Sequence, residues 1–143
     1  MPEIIIAERS VFALLTAVER RLTAAVAADL DDEGVTVEQW RVLKGLSHRE
    51  GRSMSDIASS AMLPAPTLTK VVDRLVAENL VHRRSDPFDR RRVLVLLTPR
   101  GQALRSRLDE ILQQHRFRME DVLGRSGLEQ LTDLLSRLQA SER

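Results

Sequence analysis

Apolar residues recur at intervals of three and four along most of this chain, the period of helices with one buried stripe. Between positions 80 and 97 the pattern changes to short strand-like runs. The first helical stretch runs from about Pro2 to Leu30, with Val11, Leu15, Val18, Leu22 and Val26 on one stripe and Glu19, Arg20 and Arg21 largely outside it. Asp31-Asp32-Glu33-Gly34 ends that helix. Thr36 and Gln39 have the spacing of a capping box for the next, whose apolar face of Trp40, Leu43 and Leu46 extends to about His48. Glu50-Gly51-Arg52 turns the chain, and Ser53 with Asp56 repeats the capping-box spacing ahead of a short helix from Met54 that carries Ile57, Ala58 and Met62.

Leu63-Pro64-Ala65-Pro66 interrupts this helix. A proline in a first turn lacks only an N–H that would have no helical partner anyway, so a new helix starts here and runs to about Asn79. Leu68, Val71, Val72 and Leu75 form its buried stripe, leaving Thr67, Thr69, Lys70, Asp73 and Arg74 on other faces. Asn79 tolerates the left-handed conformation that ends many helices. The strand-like run Leu80-Val81-His82-Arg83-Arg84, turn residues Ser85-Asp86-Pro87-Phe88-Asp89 and a second strand-like run from Arg90 to Leu97 then form a basic hairpin. Thr98 and Pro99 suit the N-cap and first position of a long helix with Leu104, Leu108, Ile111, His115, Met119 and Val122 on one stripe. Gly124 breaks it, and Leu128, Leu131, Leu135 and Leu138 carry a last helix. Two helices joined by a tight turn and followed by a basic hairpin form a winged helix-turn-helix, so the expected fold is mainly α with a small β-hairpin wing (α+β). The chemistry suits DNA: a helix fits the major groove, and an arginine tip fits the narrow, strongly negative minor groove.

Charge sharpens that picture. The net charge of +1 conceals a segregation, since Pro64 to Arg107 holds ten Lys or Arg against four acids, leaving +6 there and −5 elsewhere. Such clustering is the electrostatic footprint of a nucleic-acid binder. Two alternatives are a solvated basic face without a partner and a winged-helix protein-interaction module that does not bind DNA. The 143 residues suit one domain, and the absence of cysteine excludes disulfides, thiolate metal sites and thiol redox switches. No apolar run is long enough for a membrane span or a signal peptide, so a cytoplasmic location is expected. The three histidines are scattered and assemble no metal site, no cofactor motif is present, and no nucleophile lies beside a base, which argues against an enzyme.

The ordered set Leu63-Pro64-Ala65-Pro66-Thr67-Leu68-Thr69-Lys70-Val71-Val72-Asp73-Arg74-Leu75, Asn79-Leu80-Val81, Asp86-Pro87-Phe88-Asp89-Arg90-Arg91 and Leu97-Thr98-Pro99-Arg100-Gly101 resembles the MarR (multiple antibiotic resistance regulator) family of bacterial transcription factors. The resemblance implies a single domain over residues 1–143, in which 35–98 form the winged helix-turn-helix and 1–34 and 99–143 supply dimerisation helices. It implies a homodimer on a palindromic double-stranded DNA operator, because a two-fold protein matches a two-fold site. It also implies a repressor released by a small anionic or aromatic effector.

With the second helix of the motif in the major groove, Pro66, Thr67, Thr69 and Lys70 meet base edges or phosphates, and Arg74 lies further along toward the backbone. Ala65 and the Thr67 methyl suit a thymine methyl, and Lys70 suits guanine. Asp73 is expected to orient Arg74 or a wing arginine. The resemblance places Arg83 and Arg91 at the wing's DNA-contacting positions, with Asp89 holding the tip in register. Arg90 belongs to the same basic tip, although alternation along an extended strand would turn it and Arg92 away from Arg91. Arg84 is a phosphate contact or a plain surface charge. For an effector pocket the same resemblance suggests Arg9, Phe12, Trp40 and His115, although core packing is the better reading of Phe12 and Trp40.

Overall fold

The structure, a computed structural model, describes residues 10–141. Two compact units divide the chain after Leu108. The first contains α1 (Val11–Asp32), α2 (Val37–Leu43), β1 (Arg52–Ser53), α3 (Met54–Ala61), α4 (Ala65–Ala77), β2 (Val81–Ser85) and β3 (Val93–Leu97), and it includes the start of α5 (Pro99–Ser141). The second holds the rest of α5, whose helical path is broken at Gly124 (φ 73°, ψ 163°), as the sequence anticipates. This is the winged helix-turn-helix order: the described residues are mainly helical, with a small antiparallel sheet of order β1-β3-β2.

The first unit closes on a core of branched aliphatics. Val42, Leu43, Leu46, Ile57, Leu68, Val72, Leu75, Val81, Val95 and Leu97 are fully buried, each contributing roughly 1.5–3 kcal/mol of transfer free energy. Local chemistry sets the element ends. Thr36 and Gln39 form the anticipated reciprocal box, the Gln39 N–H donating to Thr36 Oγ1 (3.1 Å) and the Thr36 N–H to Gln39 Oε1 (3.0 Å). At Ser53 only half of the expected box forms: its Oγ accepts from the Asp56 N–H (3.2 Å), while the Asp56 carboxylate is engaged by Arg92.

The turn between α3 and α4 passes through Met62 in the left-handed region (φ 54°), with the Leu63 N–H closing on the Ala58 carbonyl at 3.1 Å. Asn79 ends the α4 segment in the same conformation (φ 58°). The start of α5 locks the base of the hairpin. The Thr98 hydroxyl donates to the Asn79 carbonyl (2.7 Å) and accepts from the Gly101 N–H (3.0 Å), and the Thr98 N–H donates to the Leu80 carbonyl (3.0 Å). A Cβ at Gly101 would stand 1.9 Å from that same carbonyl oxygen, so the close approach requires glycine.

Three expectations need correction. The second wing strand begins at Val93, not Arg90: the Asp89 carbonyl accepts from the Arg92 N–H (2.9 Å) and keeps Arg90, Arg91 and Arg92 in the turn. Alternation along a strand therefore does not decide which way these arginines face. Arg52 and Ser53, read as turn and cap, also form β1, pairing with Val95 and Leu94. The helix around Trp40 ends at Leu43 rather than near His48, because the chain tightens into turns through Gly45 and Leu46. The first helix is capped by Ser10 and described from Val11; its anticipated portion from Pro2 lies outside the described residues.

Candidate nucleic-acid interface

α4 is a two-sided helix. Leu68, Val72 and Leu75 anchor it in the core, while Ala65, Pro66, Thr67, Thr69, Lys70 and Arg74 are all exposed. Thr69 donates its hydroxyl hydrogen to the Ala65 carbonyl one turn back (3.0 Å), and Arg74 pairs with Glu78 at 3.1 Å. The N-cap is Pro64, which gives no side-chain hydrogen bond, so the first-turn N–H groups of α4 are not capped by their own chain.

The wing emerges from the same core. Its base is apolar and covered at Val81, Val95, Leu96 and Leu97, and exposure rises toward the tip through Arg84, Ser85 and Val93. The tip is stiffened by short hydrogen bonds. The Asp86 N–H donates to the Arg92 carbonyl (2.9 Å), Asp86 Oδ1 accepts from the Phe88 N–H (2.9 Å), and Asp89 Oδ1 accepts from the Arg91 N–H (3.1 Å). Asp89 thus holds the backbone of Arg91 and leaves its guanidinium free to project.

Two ion pairs tie the wing to the helices. Arg83 of β2 donates to the Asp73 carboxylate of α4, and Arg92 donates to Asp56 of α3 at 3.2 Å. Exposed pairs of this kind contribute about 0–1 kcal/mol each, so their effect is orientation more than stability. The Asp73 pairing realises the expected role of that residue with Arg83 as its partner. The Asp56–Arg92 pair was missed, since a separation of 36 residues leaves no local signal. Among the described residues, Lys70, Arg84, Arg90 and Arg91 make no ion pair. The result is a stabilised frame that presents uncommitted cations.

The residues suggested for an effector pocket lie on separate elements. Phe12 is 84% exposed on α1, so it is not the core residue expected, Trp40 is half-buried on α2, His115 is buried on α5, and Arg9 lies outside the described residues. The Trp40 indole N–H and the Gln39 amide nitrogen are buried without hydrogen-bond partners, and the Lys44 ammonium sits 4.6 Å from the Trp40 ring centroid. The second unit has a groove of about 490 Å³ between its two helical arms, lined by Arg116, Phe117, Glu120, Arg125 and Leu128 among others. Among the described residues, no cluster of three His, Asp or Glu side chains is placed to hold a metal, and no helix is long and apolar enough to cross a membrane.

Comparison with known proteins identifies this arrangement. The MarR family model matches residues 35–93, which span α2 through the start of β3. The HTH-type transcriptional regulator FarR of Neisseria gonorrhoeae is 33% identical over 113 residues, covering 79% of this chain and 77% of FarR. Among solved structures, NadR in complex with 4-hydroxyphenylacetate superposes with a TM-score of 0.79 at 30% identity, covering 90% of this chain and 92% of NadR. The transcriptional repressor CouR bound to a 23-mer DNA duplex gives 0.80 at 25% identity, covering 96% and 95%. A helix-turn-helix with a stiff arginine wing, a family match centred on that unit and a relative aligned over most of both chains lead to one conclusion: the chain belongs to the MarR family of transcriptional regulators.

Proposed function

We propose that the protein is a homodimeric, sequence-specific DNA-binding regulator, a repressor that leaves a palindromic operator when a small anionic or aromatic ligand binds. The observation that carries this reading is the division of α4, with a buried stripe that fixes the helix and an exposed polar face that it presents together with the arginine tip. In this reading Ala65, Pro66, Thr67, Thr69 and Lys70 enter the major groove, where methyl groups and a lysine discriminate thymine and guanine edges. The first-turn N–H groups and Arg74 take phosphates. Arg90 and Arg91 enter the minor groove, Asp89 holds them in register, and Arg83 offers a phosphate the N–H groups that Asp73 does not occupy.

The reading of a dimer is supported by α1: Val11, Phe12, Leu14, Leu15 and Val18 are each more than 40% exposed, a stripe left uncovered among the described residues. For the effector, Trp40 supplies a buried donor and Lys44 a neighbouring cation, a combination that suits a carboxylate or phenolate. NadR, solved with an aromatic acid, supports that ligand class. The protein then acts by occupying DNA rather than by catalysis, in the cytoplasm where the DNA is.

The test is a fluorescence-anisotropy titration on duplexes selected by the protein from a randomised pool. A specific palindromic duplex should bind tightly, with affinity falling steeply as salt rises because several phosphates are neutralised per dimer. Aromatic acids should release it and raise the melting temperature. Failure to enrich any duplex would overturn the reading.

A further inference from the structure

Phe88 is the most exposed large hydrophobic side chain among the described residues, at 96%, and it stands at the apex of the wing. Nothing in the fold uses it. The core lies at the base of the hairpin, and Phe88 follows Pro87 at the point where the chain reverses. Its position is nevertheless well defined. The Phe88 N–H is held by Asp86 Oδ1, the Asp86 N–H is tied to the Arg92 carbonyl, and Asp89 clamps the far side of the tip through the Arg91 and Arg92 N–H groups. Proline before it restricts the backbone further. A fully exposed aromatic ring carried on a preorganised turn is an arrangement suited to a partner, since the backbone loses little conformational freedom on binding.

The surroundings specify which partner. From position 83 to 92 the wing carries five arginines against two aspartates, and Arg84, Arg90 and Arg91 are exposed without ion pairs among the described residues. A surface of that charge around one apolar ring matches a polyanion whose phosphates flank an apolar surface. The minor groove of DNA has that form, with phosphate rims and walls built from deoxyribose carbons, and apolar side chains are used there as wedges against sugars and base steps. An apolar protein partner would instead meet a ring of desolvated cations.

We propose that Phe88 enters the minor groove with the arginine tip and packs its ring on the deoxyribose wall, making it an apolar DNA contact of the wing. The inference rests on the DNA-binding reading above. It makes a prediction that arginine contacts do not. Neutralising a phosphate releases counterions and so contributes to the slope of log affinity against log salt, whereas an apolar contact shifts affinity without changing that slope.

The experiment compares wild type, Phe88→Ala, Phe88→Leu and Arg91→Ala on one duplex selected by the wild type, between about 50 and 200 mM salt. Phe88→Ala should bind roughly tenfold more weakly at every salt concentration, giving a line parallel to wild type, and Phe88→Leu should recover most of the loss. Arg91→Ala should give a shallower line. Circular dichroism and melting should match wild type for the Phe88 variants, because the ring touches no core. If wild type enriches no duplex, the regulator reading fails and this proposal with it. If wild type binds and Phe88→Ala binds equally well, or loses affinity with a changed slope, the Phe88 contact alone is overturned. A fall in molecular mass of Phe88→Ala by light scattering would also overturn it, by placing the ring at a contact between copies of the chain.

Discussion

α4 and α1 carry apolar stripes of the same helical period, yet they meet opposite fates. In α4 the stripe residues Leu68, Val72 and Leu75 are at most 1% exposed, covered by α2, α3 and the hairpin base. In α1 the stripe begins uncovered, with Val11 at 65% and Val18 at 49% exposure, and reaches full burial only at Leu30. One stripe is buried by neighbouring elements, and the other is left uncovered among the described residues. Periodicity reports that a face is to be buried; it does not report which molecule buries it.

The largest effect that sharpens this contrast is expected in the core. Leu75→Ala removes a fully buried side chain and should cost about 2–5 kcal/mol, read as a lower denaturation midpoint in urea. A loss below about 0.5 kcal/mol, the size of an ordinary surface substitution, would mean that α4 is not anchored as described. Gly101→Ala should follow at about 1–3 kcal/mol, since its Cβ would meet the Leu80 carbonyl oxygen at 1.9 Å and push α5 off the hairpin base. The same denaturation series checks it, and a neutral result would contradict the close approach. In α1, Leu15→Asp should change far-UV circular dichroism little, because the side chain is already 41% exposed in the single chain. It should halve the mass seen by light scattering from about twice 16.2 kDa to a single chain. Retention of the dimer would remove this stripe from the interface.

Much of the winged unit was legible because its signals are local. Thr36 with Gln39 caps as spaced, Asn79 adopts the left-handed turn, and Thr98-Pro99 opens α5 with Thr98 bonded on both sides. The exposed polar positions on α4 follow from the same periodicity that buries Leu68 and Leu75. What escaped was non-local or ambiguous in one dimension. β1 is two residues long and exists only because Val95 and Leu94 lie across from it, some 40 positions away. Arg90-Arg91-Arg92 runs without punctuation into Val93-Leu94-Val95, so it reads as one strand, and it is the Asp89 carbonyl and carboxylate that detain the arginines in the turn. The Asp73–Arg83 link was foreseen only as one of two options, since helical spacing sets Arg74 close by as well.

The central claim is that α4 and the wing read DNA in different ways, α4 by base edges and the wing by groove shape. The most direct measurement compares Lys70→Ala with Arg91→Ala on a selected operator and on duplexes carrying single base-pair changes in each half-site or altered A·T content in the flanks. Lys70→Ala should cost about 1–3 kcal/mol and flatten the preference at one position per half-site. Arg91→Ala should weaken all duplexes, most of all those with A·T-rich flanks and a narrow minor groove. Unchanged affinity in both folded variants at low salt would contradict the account.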